Sequence, residues 1–115
     1  MSRTTIMVPL KYETIVILNK LKDEGMFLSR FVERVLDAFL KDDRIIAALV
    51  QMKEPMGLYH EHRSVTIKTE VVDALRTISS LSGMPQNRIA AKCVVHGLAE
   101  LQAGMPFGSS LGEIK

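Results

Sequence analysis

Apolar residues recur along this chain with two alternating periods, and the order of those periods occurs twice. Residues Thr4–Val8 (TTIMV) put Ile6 and Val8 on one face. Period two with β-branched side chains predicts a short strand. Leu10–Glu24 then carries Ile15, Leu18 and Leu21 at helical spacing, with Lys20, Lys22 and Asp23 elsewhere. Gly25 stops that helix, because glycine takes the left-handed conformation a helix end requires. Ser29 is placed to cap a second helix with its hydroxyl. The pairs Phe31/Val32, Val35/Leu36 and Phe39/Leu40 follow every four residues, a core-facing stripe.

The same order returns downstream. Ser64–Ile67 (SVTI) alternates, with Val65 and Ile67 on one face. Val71, Val72, Leu75 and Ile78 make a helical stripe that ends at Gly83, Pro85 lies in the turn, and Asn87 is the cap candidate. Ile89/Ala90, Cys93/Val94 and Gly97/Leu98 repeat the paired stripe. Gly25–Met26 and Gly83–Met84 align at an offset of 58, which sets Ser29 on Asn87. The first unit carries about one or two additional residues between strand and first helix, so the register there stays open. Units of this size bury too little surface to stand alone, so the two must pack together.

These patterns divide the chain into a first unit (1–40), a linker (41–61), a second unit (62–102) and a tail (103–115). In the linker, Asp42 or Asp43 can cap a helix over 44–53, where Ile45, Ile46, Leu49, Val50 and Met52 share a face. Two roles are open for that helix: covering the core, or joining neighbouring molecules side by side on a partner. The tail holds Pro106 and three glycines and reads as a loose extension.

A five-residue strand leaves backbone groups unpaired, and each unit offers only one. Pairing the two strands antiparallel over four helices satisfies both. The expected fold class is therefore mostly α with one short two-stranded antiparallel ribbon. Ile6, Val8, Val65 and Ile67 would face the helices. Arg3, Thr5 and Met7 would stand on the other face with Ser64, Thr66 and Lys68. A two-stranded ribbon fits the DNA major groove, where Arg or Lys suits guanine acceptors and a thymine methyl takes an apolar contact.

Residues GMFLSRFVERVLDAFL resemble the turn and second helix of the ribbon-helix-helix (MetJ/Arc) superfamily, and RSVTIKTEVVDALRTISSLSG resembles its strand and first helix. Family members normally pair one ribbon from each of two subunits, and most repress transcription. The resemblance implies a tandem, single-chain pseudo-dimer that binds double-stranded DNA, with plasmid conjugation or partition accessory proteins as relatives of that form. It also implies phosphate contacts at the start of each second helix. Ser29–Arg30 and Asn87–Arg88 occupy those positions, where free amides and the helix dipole favour an anion. The two strands differ, so a DNA site with non-identical halves is expected.

Composition narrows the remaining classes. Of 115 residues, 47% are hydrophobic and 24% charged, without an acidic or basic block, which argues against a disordered chain. Net charge is only +2, so any phosphate-binding signal rests on where the cations lie. One cysteine excludes an internal disulfide and fits a reducing cytoplasm. Residues 1–15 lack a signal-peptide pattern, and apolar runs such as Ile45–Val50 are too short to cross a bilayer. His60, His62, Cys93 and His96 supply no closed set of four metal ligands, so no metal or other cofactor is expected. No nucleophile–base pair or phosphate-cradling loop stands out, so no enzymatic activity is expected. The alternative to a DNA-binding role is an antitoxin-type protein-binding module whose tail engages a partner.

Overall fold

A computed structural model describes residues 2–51 and 61–109. Within them the order is β1 (Arg3–Leu10), α1 (Tyr12–Asp23), α2 (Leu28–Phe39), α3 (Asp43–Gln51), β2 (Glu61–Lys68), α4 (Thr69–Ser82) and α5 (Gln86–Gln102). The described chain is mostly helical with one two-stranded antiparallel sheet.

β1 and β2 pair over their full lengths, from Arg3 opposite Lys68 to Leu10 opposite Glu61. Both strands are longer than the four or five residues expected. The inward face of β1 runs on through Leu10, which is as buried as Val8, and β2 begins early enough to pair with it. Ile6, Val8, Leu10, Val65 and Ile67 pave one face of the ribbon and close the core from above.

Beneath the ribbon, α2 and α5 form the centre. Phe31, Val32, Val35, Leu36 and Phe39 are all buried, as the paired stripe required. Helix α5 is buried more nearly all round, including Ala91, Lys92 and Glu100, because several elements enclose it. The two helices meet where Gly97 backs onto Val35; a Cβ built on Gly97 would lie 2.7 Å from Val35 Cγ2. Helix α3 adds Ile45 and Leu49 to the core, and Lys92 Nζ donates to the Leu49 carbonyl at 3.3 Å. Asp42 caps α3, its Oδ1 accepting from the Arg44 N–H at 2.9 Å. That bond is the main reason its carboxyl titrates below the ordinary range. Met52 and Lys53, expected in the same helix, lie outside the described residues.

Three expectations are corrected. First, the additional residue is not between strand and first helix of the first half. The residues that precede the first helices, Lys11 and Lys68, lie 57 apart. That spacing also matches buried Thr14, Ile15 and Leu18 to Val71, Val72 and Leu75. The spacing becomes 58 only at Gly25 and Gly83, so the additional residue sits at the end of α4. Val8 and Leu10, rather than Ile6 and Val8, precede α1 as Val65 and Ile67 precede α4.

Second, Ser29 and Asn87 do not cap their helices. Both lie inside the first turn, preceded by Phe27 and Pro85 in extended conformation. The helices begin earlier because Ser29 is engaged elsewhere, as shown below, and Pro85 fixes the turn that enters α5.

Third, residues 103–109 are not loose. Gly104 takes a left-handed conformation, and the Met105 N–H returns to the Glu100 carbonyl at 2.8 Å. This Schellman turn redirects the chain onto the core. Phe107 then meets the buried Phe31 edge-on at 5.9 Å between ring centroids. Gly108 N–H donates to Glu100 Oε1 at 2.9 Å.

Candidate nucleic-acid interface

Strand alternation decides which side chains leave the ribbon outward. With Ile6 and Val65 turned to the core, four cross-strand pairs have the outward parity in order, Arg3·Lys68, Thr5·Thr66, Met7·Ser64 and Pro9·His62, although Pro9 itself is buried. Arg3, Thr5, Met7, Ser64 and Thr66 are exposed and Lys68 is half-buried. All six expected ribbon residues therefore share one surface. The continuous register adds an exposed His62 opposite a buried Pro9, which the shorter expected strands omitted. Glu61–Arg63 is wholly polar and shows no apolar alternation, so the pattern alone starts the strand only at Ser64.

Neighbouring side chains on this face hold one another. The Thr5 and Thr66 hydroxyls are 2.9 Å apart, and Ser64 Oγ donates to Met7 Sδ at 3.0 Å. A hydroxyl in one such bond keeps further donor or acceptor capacity for an outside partner. Arg3 reaches across the ribbon to Glu33 on α2, with Nη1 3.3 Å from Oε2.

Helix α2 runs along the free edge of β2. Thr66 N–H donates to Ser29 Oγ at 3.3 Å, and Lys68 N–H to Glu33 Oε1 at 3.4 Å. One helical turn between Ser29 and Glu33 matches two residues of strand between Thr66 and Lys68, since both spans are about 6 Å. Ser29 thus satisfies a strand amide instead of its own helix. This also covers an edge that would otherwise recruit another strand.

The starts of α2 and α5 keep the features an anion needs. Neither Phe27 nor Pro85 bonds the first-turn amides through its side chain. Arg30 and Arg88 stand exposed in those turns, with Asn87 exposed beside Arg88. Beside the α2 start, a cleft of about 260 Å³ is lined by Asn19, Lys22, Phe27, Ser29 and Arg63 over an apolar floor. Lys22 and Arg63 are cations that sequence reasoning passed over. Arg63 sits where the strand alternation expects an inward side chain, and only its place near the ribbon end keeps it in water, paired with Glu61 at 2.7 Å.

Cys93 is fully buried in α5, and burial pushes its thiol far above the ordinary range, so it behaves as a small apolar residue. His60 lies outside the described residues. Among the described residues no group of three or more His, Cys, Asp or Glu could hold a metal. Nor is any described helix long and apolar enough to cross a membrane.

No protein-family model matches this chain, and no curated protein or solved structure does so either.

Proposed function

We propose that this chain is a sequence-specific double-stranded DNA-binding protein, a tandem ribbon-helix-helix pseudo-dimer that reads the major groove with the outer face of its ribbon. One observation carries the reading. Arg3, Thr5, Met7, Ser64, Thr66 and Lys68 emerge together from a two-stranded ribbon whose other face is sealed into the core. A face so exposed, small and rich in hydrogen-bonding groups suits base edges in a groove that admits a ribbon. The uncapped starts of α2 and α5, with Ser29–Arg30 and Asn87–Arg88, supply phosphate contacts that set the register. Ser29 Oγ accepts from the Thr66 N–H and keeps its own O–H, so the hydroxyl and the backbone amide can both donate to a phosphate. Two strands of different sequence fit a site with unlike halves, and pseudo-dimers can line up on longer sites.

By analogy with the superfamily, the biological role is transcriptional repression, with plasmid conjugation or partition accessory binding as the alternative. Phe107 packs against Phe31, so the described part of the tail, 103–109, is docked on the core, which disfavours an antitoxin that wraps a partner with those residues. Selection from randomised duplexes tests the DNA reading. The wild type should enrich one sequence, and Arg3→Ala and Lys68→Ala should each relax it at a base position by ~1–3 kcal/mol. Absence of any enriched sequence would refute the proposal.

A further inference from the structure

Glu33 is the one carboxylate that meets the outer face of the ribbon through a described contact, and it meets it at one end only. Its Oε2 holds Arg3 Nη1 at 3.3 Å and its Oε1 receives the Lys68 N–H at 3.4 Å. The Glu33 side chain is 14% exposed, while that of Arg3 is 52% exposed. The carboxylate is therefore fixed by the protein, and the guanidinium it holds remains open to solvent. A guanidinium has five N–H donors in a rigid fork. One donor on Glu33 leaves others for an acceptor pair, and the anchoring removes rotamer freedom before any ligand arrives.

The opposite end is built differently. At the spacing of 58 that relates Gly25 to Gly83, Ala91 stands where Glu33 does, and it is buried without a carboxylate. The edge amide is missing as well. At the strand spacing of 57, Pro9 stands where Thr66 does. The Thr5·Thr66 pair faces its amides away from the partner strand, since the Thr66 N–H goes to Ser29; Pro9·His62 has the same parity, and proline has no N–H to give. By the same strand spacing His62 stands where Thr5 does and Lys11 where Lys68 does, while His60, the counterpart of Arg3, lies outside the described residues; that end keeps an ammonium but has no carboxylate at the Glu33 position to anchor a guanidinium.

We propose that Glu33 is a specificity-determining positioning residue that makes the ribbon directional, aiming Arg3 at guanine in one half-site while Ala91, at the matching place, can aim no guanidinium in the other. This rests on the DNA-binding reading above. The ligand is accordingly a non-palindromic duplex with its guanine requirement confined to one half. Glu33 also keeps a negative charge near the phosphates, which general electrostatics disfavours, so its removal should not weaken non-selective binding.

The test measures equilibrium binding of the full chain to the selected duplex and to duplexes with single base-pair changes, at one fixed salt concentration. In the wild type, replacing the guanine in one half should weaken binding about tenfold or more, and changes at the mirror position less than about threefold. Glu33→Gln retains an acceptor for the Lys68 N–H but loses the charge. It should bring the large penalty down to the small one while leaving affinity for an unrelated duplex equal or higher. In an Arg3→Ala background, Glu33→Gln should change neither penalty. A second variant, Arg3→Lys, keeps a charge for Glu33 without the fork and should lower the guanine penalty without abolishing it. Equal guanine penalties in both halves, or a penalty unchanged by Glu33→Gln, would overturn the directional role while leaving DNA binding intact. Failure of the wild type to discriminate any duplex would overturn both.

Discussion

The crossing of α2 over α5 gives a prediction whose sign depends on the background in which it is made. Gly97 lies inside α5, where alanine is normally better than glycine by ~1 kcal/mol. Here the new Cβ would sit 2.7 Å from Val35 Cγ2, 2.8 Å from Cγ1 and 3.3 Å from Cβ. Comfortable carbon contacts are about 3.5–4.0 Å. Both γ carbons are struck, so no rotation of Val35 relieves the clash, and a helical valine has one strongly preferred rotamer anyway. The helices must part, and overpacking of this kind costs ~1–3 kcal/mol. Net destabilisation by Gly97→Ala should be on the order of 1 kcal/mol, against the propensity gain. In a Val35→Ala background the obstructing carbons are gone. There the same substitution should stabilise by up to ~1 kcal/mol. Urea unfolding of the four proteins in the cycle measures this. A stabilising Gly97→Ala in the wild-type background, with no coupling to Val35, would refute the packing described.

Other consequences are as direct. Phe107→Ala should lower stability by ~1–2 kcal/mol through lost burial and the edge-on contact with Phe31; thermal melts would show no shift if 103–109 were a loose tail. Lys92→Ala removes the donor that holds the Leu49 carbonyl, so hydrogen exchange should show protection lost in α3 well before α1. Cys93 should resist a thiol reagent in the folded protein and react fully in denaturant, because burial both shields it and disfavours the thiolate; rapid reaction of the native protein would contradict the packing of α5.

Much of the scaffold was legible because each element carries its own periodicity. Ile6 and Val8 alternate, Phe31/Val32 through Phe39 repeat every four residues, and Gly25 and Gly83 mark helix ends. From these the strands, the helices and the outward set Arg3, Thr5, Met7, Ser64, Thr66 and Lys68 follow. What escaped was settled by partners distant in sequence. Ser29 looks like a cap, and only its approach to Thr66 shows that the hydroxyl serves the strand edge. Glu33 gives no local sign of reaching Arg3, thirty residues away. Glu61–Arg63 has no apolar alternation, so its pairing with Val8–Leu10 depends on the partner strand. Gly104 and Pro106 suggest a break, and Phe107 is anchored by a ring in α2 that no local pattern announces.

The central claim is that the outer face of the ribbon lies in the major groove. Dimethyl sulfate methylation of the selected duplex tests it, since guanine N7 lies in the major groove and adenine N3 in the minor. Wild-type protein should protect guanine N7 in one half-site, and Arg3→Ala should abolish that protection while the complex persists at higher protein concentration. Unprotected guanine N7 throughout the bound site, with adenine N3 protected instead, would contradict the account.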